Sequence, residues 1–223
     1  MTTLIRKAAL TAAGAALVGG ALAAPATAFA APASTHTPTA SVTTDRGHDR
    51  DGGGKGGKEL RVRYEAQPNF YYCGPAAARN ALTTMDKNVS QDDMAHEMGT
   101  TENGTDSAHQ ITKALNVKAG KDTFRTVEIS SAKADDAQTD TLRKDVVKAV
   151  DNGHGIVANI AGTATDTEGG VHSFEGGHYI SVVGYRDGGE TVKISDSANP
   201  DQSSYWITTD ALADWTATRG YSA

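Results

Sequence analysis

Cysteine is almost absent: the 223-residue chain has one, Cys73, so no intramolecular disulfide can staple it. Large aromatics are few, with four Phe and two Trp, and the chain is only 38% hydrophobic. That excludes a polytopic membrane protein but leaves material for one sizeable core. Positive charge is also scarce beyond the first quarter of the chain. Residues 59–223 hold fifteen Lys/Arg against twenty-four Asp/Glu, a balance of −9, whereas residues 1–58 hold six against three, a balance of +3. An acidic folded portion repels phosphate backbones, so no nucleic-acid partner is expected. The length favours one domain with extras over two full domains.

What is present begins with an address. Arg6 and Lys7 precede an apolar run from Ala8 to Ala24, and Ala28-Phe29-Ala30 has the small-x-small pattern of a signal peptidase site. Residues 1–30 therefore read as a secretory signal peptide. Gly14, Gly19 and Gly20 interrupt the run and its alanines are only mildly apolar, which argues against a membrane anchor. No second run of spanning length occurs, so the expected product is secreted and free of the membrane after signal removal. Residues 31–58 are rich in Pro, Thr and Gly and cannot bury enough apolar surface to offset ordering, so they read as a disordered linker. Residues 59–223 remain as the domain. Gly52 to Lys58 nearly spells a phosphate-binding P-loop, but Glu59 replaces the required hydroxyl and no apolar strand precedes it.

A lone thiol in an exported protein calls for a reason. Cys73 stands in Gln67-Pro68-Asn69-Phe70-Tyr71-Tyr72-Cys73-Gly74-Pro75, followed by an alanine-rich run to Leu82. Proline is welcome in the first helical turn and alanine propagates it, so Cys73 is expected at or just before a helix N-terminus. There the unpaired N–H groups and the helix dipole stabilise a thiolate. The small residues of the helix suit a close approach to a sheet.

The run from Gln67 to Leu82 resembles the active-site helix of papain-like cysteine peptidases, closest to the bacteriocin-processing (double-glycine) peptidase-like family. The resemblance implies that Cys73 is the nucleophile. It also implies that Gln67, with the Cys73 backbone N–H, donates to the oxyanion of a tetrahedral intermediate.

Gly176 to Tyr185, with Gly177-His178-Tyr179-Ile180-Ser181-Val182-Val183, reads as a strand, Arg186 to Glu190 as a turn, and Thr191 to Asp196 as the returning strand. If the loop has three or five residues centred on Gly188, Ile180 faces Asp196. His178 then shares a face with Asp196 as its diagonal neighbour. A two-residue turn would put them on opposite faces. The chemistry favours the odd loop. The resemblance agrees, implying His178 as base and Asp196 as its orienter, with Asn199 a weaker candidate because Asp196-Ser197 departs from the Asp-Pro of many relatives.

Elsewhere, Ser90 caps a helix through about Met98, and Thr105 or Asp106 opens another that ends near Asn116. A strand is expected at 124–129, a helix at about 140–150 and a strand at 156–160. Residues 165–176 read as a polar glycine-rich loop, 205–207 as a strand and 209–215 as a last helix. The helical spacing of His172, Glu175 and His178 is meaningless in such a loop, so no metal and no cofactor are expected. His154 reads as a turn residue, and His96 and His109 as members of amphipathic helices. The fold class is α+β, a papain-like arrangement with N-terminal helices and the nucleophile at a helix start, packed on an antiparallel sheet that carries His178 and Asp196. The expected function is a monomeric, secreted cysteine peptidase acting on a peptide or protein substrate through Cys73, His178, Asp196 and Gln67. Two alternatives use the same scaffold: a Cys-dependent acyltransferase or amidase on peptide-like, including cell-wall, substrates, and an inactive binding module.

Overall fold

The computed structural model describes residues 56–223. The signal segment and nearly all of the linker lie outside the described residues. In chain order the elements are β1 (Lys58–Glu59), α1 (Cys73–Thr83), α2 (Gln91–Met98), α3 (Ala108–Ala119), β2 (Thr126–Val127) and α4 (Asp136–Asp151). There follow β3 (Ile156–Thr165), β4 (Val171–Arg186), β5 (Thr191–Ser195), β6 (Ser204–Thr208), α5 (Thr209–Trp215) and β7 (Gly220–Ser222). The expected α+β arrangement is the one observed. All strand pairs are antiparallel, in the order β2-β7-β3-β4-β5-β6, and β1 lies beside β4 where β3 has ended. Among the described residues no helix is long and apolar enough to cross a membrane.

The two sheet faces carry separate clusters, as alternation along a strand requires. On β3, Val157 packs with Ala77, Ala81, Leu82, Met94 and Leu115 from α1, α2 and α3. Its neighbours Ile156, Ala158 and Ile160 pack on the other face with Leu142 and Val146 of α4 and Leu212 of α5. The buried alanines of α1 bring its backbone close enough for the Ser181 hydroxyl on β4 to donate to the Ala77 carbonyl at 2.7 Å. A Cβ on Gly74 would meet Thr105 Oγ1 at 2.6 Å, so only glycine fits directly after the cysteine.

Residues 60–72 form an irregular strap whose backbone groups are paired by side chains. Buried Asn80 of α1 accepts from Glu65 N at 3.1 Å and donates to Glu65 O at 3.0 Å, and Gln91 donates to Ala66 O at 2.9 Å.

Several expected boundaries shift, each for a local reason. Ser90 caps α2 through a box with Asp93 as expected, but α3 is capped by Ser107 with Gln110 and runs on to Gly120 in the left-handed conformation. A box of Asp135 with Gln138 starts α4 ahead of its apolar stripe. The expected strand at 124–129 shrinks to β2. The glycine-rich segment 165–176 is not a loop: β3 and β4 form a hairpin through it, with Asp166–Gly170 as the tip. Lys58, read as the end of the linker, pairs with Tyr185 in β1.

The β4–β5 connection departs most from expectation. Its loop has four residues, Asp187–Glu190, because Arg186 pairs with Thr191. An even loop alone would separate His178 and Asp196 onto opposite faces. A β-bulge between Val182 and Gly184 inserts one residue into β4, so that Val182 pairs with Ile194 and Ser181 with Ser195. The bulge restores the parity that the odd loop was expected to supply.

Candidate active site

Cys73 is the first residue of α1, so its backbone N–H has no intrahelical partner and the positive end of the helix dipole lies at its side chain. The thiol is free and half-buried. Burial pushes it up, but the hydrogen bond and positive charge of His178 pull it down, aided by the N–H groups of Tyr179 and Gly74. The net effect is below the ordinary thiol value.

His178 projects from β4 and is buried. Its Nε2 meets Asp196 Oδ1 at 2.7 Å, which leaves Nδ1 for the thiol. Burial alone would discharge the ring. The hydrogen bonds and charges of Asp196 and Cys73 overcome this and hold the imidazolium up to about 9. The Phe174 ring stacks on it with centroids 4.1 Å apart and an interplanar angle of 17°.

Asp196 follows β5 and is buried as well. Burial raises its pKa, but His178 outweighs that, and Ala198 N–H (3.0 Å to Oδ1) and Tyr205 OH (3.2 Å to Oδ2) add to the lowering, so the group stays below the usual carboxylate value. Cys73, His178 and Asp196, taken from three separate elements, thus form one hydrogen-bonded chain. Asn199 does not join it. It is exposed, and its side chain accepts from Asp201 N at the start of a 3-10 turn.

Gln67 sits beside the Asp196 turn. Its backbone N–H donates to Ser197 O at 3.0 Å, its Oε1 accepts from Ser197 Oγ at 3.0 Å, and its Nε2 donates to Asn69 O at 2.8 Å. One Nε2 hydrogen remains unassigned among the described residues. Cys73 and His178 line a cleft of about 560 Å³, and Gln67 is not among its walls. Phe70 and Tyr71 form one side, Glu102 and Asp106 another, and Arg219 overhangs Gly177, its guanidinium 3.6 Å from where a Cβ would lie. A larger hollow of about 670 Å³ beside α4 contains no thiol and no carboxylate–imidazole pair, so chemistry rather than size identifies the site. Among the described residues no three His, Cys, Asp or Glu side chains converge as a metal site.

Tyr205, Phe174 and Arg219 were not legible as site residues. Tyr205 could have been found by pairing β5 with β6, since it lies opposite Ile194, two residues from Asp196 and on its face. Arg219 carries no sequence signal of its own. It reaches the cleft from the turn between α5 and β7, next to Thr218 in a left-handed conformation (φ 66°).

The Peptidase_C39-like family model matches residues 59–223. No curated protein matches. Among the solved structures that are similar, three illustrate the match. The peptidase domain of Streptococcus ComA, a bifunctional ABC transporter involved in quorum sensing, is 19% identical (TM-score 0.47), covering 74% of this chain and 96% of its own. A double-glycine-motif protease from an AMS/PCAT transporter, in complex with its leader peptide, is 16% identical (TM-score 0.46), covering 74% and 91%. A C39-like peptidase candidate from Bacillus anthracis is 12% identical (TM-score 0.51), covering 74% and 96%, and shares the fold.

Proposed function

This chain belongs to the Peptidase_C39-like family, and from that premise we propose that it is a cysteine peptidase using Cys73, His178, Asp196 and Gln67. The observation that carries the reading is the His178–Asp196 bond of 2.7 Å through Nε2, which aims Nδ1 at a thiol held below its ordinary pKa.

The chemistry follows from that geometry. The Cys73 thiolate attacks the scissile carbonyl, and negative charge develops on its oxygen. The Cys73 backbone N–H and the free Nε2 hydrogen of Gln67 are the donors for that charge, and Gln67 meets it by turning from its own loop as substrate seats. The imidazolium of His178 protonates the departing amine, leaving an acyl-thioester and a neutral ring. His178 then draws a proton from water, whose oxygen attacks the thioester and frees the acid. Asp196 keeps the proton on Nε2 and the ring in register throughout, so that Nδ1 alone exchanges protons.

The domain works outside the cell after removal of residues 1–30, as a monomer acting on peptide or protein substrates. N-terminal sequencing of the exported product should begin at Ala31. A thiol-directed peptide electrophile should label the wild type and not Cys73→Ala, and the wild type should cleave members of a diverse peptide mixture. A wild type that neither labels nor cleaves overturns the reading. Transfer of the acyl group to an added amine in preference to water would reassign the protein as an acyltransferase.

A further inference from the structure

A second carboxylate–imidazole pair lies close to the first and has no part in the chemistry above. At the tip of the β3–β4 hairpin, Asp166 Oδ1 accepts from Glu168 N and Gly170 N, each at 2.8 Å, and Asp166 Oδ2 meets His172 Nε2 at 2.9 Å. Both side chains are buried, 5% and 8% exposed. The turn accommodates this contact: a Cβ on Gly170 would fall 2.4 Å from Asp166 Oδ2, so any side chain there would push the carboxylate out of place. Thr167 N donates to Trp206 O at 2.8 Å, tying the tip to β6.

The pair bears on one side chain. The His172 ring lies flat on Tyr205, with centroids 3.8 Å apart and an interplanar angle of 18°. The Tyr205 hydroxyl is the donor to Asp196 Oδ2. On the same face of β4, Phe174 lies flat on His178. His172, Tyr205, Asp196, His178 and Phe174 therefore form a ring of contacts closed through the backbone of β4. Removing a carboxylate and an imidazole from water is costly, and an apolar pair would hold a hairpin tip as well. A carboxylate–imidazole hydrogen bond at this position does something an apolar pair does not: it fixes the orientation of the imidazole plane, and so of the phenol stacked on it.

We propose that the buried Asp166–His172 pair and Tyr205 are positioning residues that set the orientation of the Asp196 carboxylate, and through it the aim of His178 at Cys73. The proposal rests on the Cys73–His178 reading above. None of the three lines the Cys73–His178 cleft. Asp196 has two oxygens and one task at His178. Without the Tyr205 hydroxyl the carboxylate is held only at Oδ1, by Ala198 N–H and His178; it tilts about χ2 around that oxygen, and the Nε2 bond loses its alignment.

The experiment uses the full chain, whose single thiol makes alkylation by iodoacetamide a report on Cys73 alone. Alkylation rate against pH is measured for wild type, His178→Ala, Tyr205→Phe, His172→Gln and the Tyr205→Phe/His172→Gln double variant, each checked for cooperative melting. Tyr205→Phe keeps the ring and its stack and removes only the hydroxyl. His172→Gln keeps a donor for Asp166 and removes the ring. Loss of one positioning hydrogen bond is expected to slow alkylation at pH 7 by about 3- to 10-fold in Tyr205→Phe. A smaller loss is expected in His172→Gln, and the double variant should be no slower than Tyr205→Phe, because both act through one hydroxyl. For peptide hydrolysis, kcat falls and KM holds. A merely structural role lowers melting temperature and leaves the alkylation profile in place. A wild type indifferent to His178→Ala overturns the Cys73–His178 pairing and the positioning with it. A His178-dependent wild type whose profile survives Tyr205→Phe, or losses that multiply in the double variant, overturns the positioning alone.

Discussion

Replacing Asp196 by Asn removes a charge while sparing the geometry, which makes it the sharpest probe of the site. In the wild type Asp196 Oδ1 accepts from both His178 Nε2 and Ala198 N, and Oδ2 accepts from Tyr205 OH. An Asn oxygen placed at Oδ1 keeps the first two bonds. Its amide nitrogen then faces Tyr205, whose hydroxyl turns from donor to acceptor. What is lost is the negative charge that helps hold His178 up to about 9 from its ordinary 6.5. That elevation spans more than two pH units, an effect of several kcal/mol on the balance between the two protonation states. Burial opposes it, and Asp196 and the Cys73 thiolate share the work. Without the carboxylate's charge the His178 midpoint falls back toward its ordinary value, by an amount well above the resolution of an NMR titration. A scarcer imidazolium also stabilises the thiolate less, so the Cys73 midpoint rises. The two limbs of the activity profile therefore approach each other, and the bell narrows from both sides. NMR titration of the His178 imidazole reads one limb directly, and iodoacetamide alkylation reads the other. A His178 midpoint within about 0.3 pH units of wild type in Asp196→Asn would refute the assignment of the elevation to this carboxylate.

Gln67→Ala should lower kcat for peptide hydrolysis by about 10²- to 10³-fold, as expected for one oxyanion donor, while leaving the alkylation rate of Cys73 nearly unchanged. Parallel loss of both would assign Gln67 to building the site instead. Asn80→Ala strands the Glu65 N–H and C=O that Asn80 now pairs, and should cost about 1–3 kcal/mol in denaturant titration. Hydrogen exchange should localise the loosening to residues 62–67, next to Gln67. The pH dependence of stability separates the two members of the thiol–imidazole pair. A raised His178 stabilises the fold fully below about 6.5 and loses that contribution as pH rises through about 9, whereas a depressed Cys73 contributes above its unfolded value and loses it as pH falls. Between those limits the proton has only moved from sulfur to nitrogen, so the two terms cancel and wild-type stability is nearly flat. Cys73→Ala removes one side of the cancellation, and its stability should fall by up to about 1.4 kcal/mol per pH unit above pH 6.5 in urea titrations. A slope equal to wild type counts against the pair.

What was legible in the sequence is what local chemistry specifies. Gly74-Pro75 and the alanines after Cys73 start α1 through interactions within a single turn, and Ser90 with Asp93 starts α2 in the same way. What was not legible depends on partners distant in the chain. β1, β2 and β7 have two or three residues each, too few to show any period, and exist because β4, β3 and each other offer edges to pair with. The β3–β4 tip has the composition of a loop, with Thr165, Gly169, Gly170 and Gly176, and becomes a hairpin because His172, Phe174 and the Thr167 amide find Tyr205, His178 and Trp206. Gln67 illustrates the same limit at the site itself. Its spacing from Cys73 is a sequence property, but the direction of its amide is set by Ser197, 130 residues away.

The relation of His178 to Asp196 shows why a correct pairing can rest on an incorrect turn. The requirement was parity: an odd number of residues had to separate the regular ladder at His178 from the one at Asp196. A hairpin loop can supply it, or a bulge can, and composition does not distinguish them. Here the loop is even and the odd residue sits in the strand, between Val182 and Gly184. Gly184, next to the bulge, serves the other edge of the strand. A Cβ there would lie 3.0 Å from Lys58 O and 3.2 Å from Glu59 Cα, so the bare backbone lets β1 close against β4 beside the bulge, and Leu60 N donates to Val183 O at 2.8 Å. The segment that begins the domain thus occupies the stretch of the β4 edge that β3 leaves open, across the strand from the bulge. The face on which His178 meets Asp196 is decided at the bulge, several residues from either side chain.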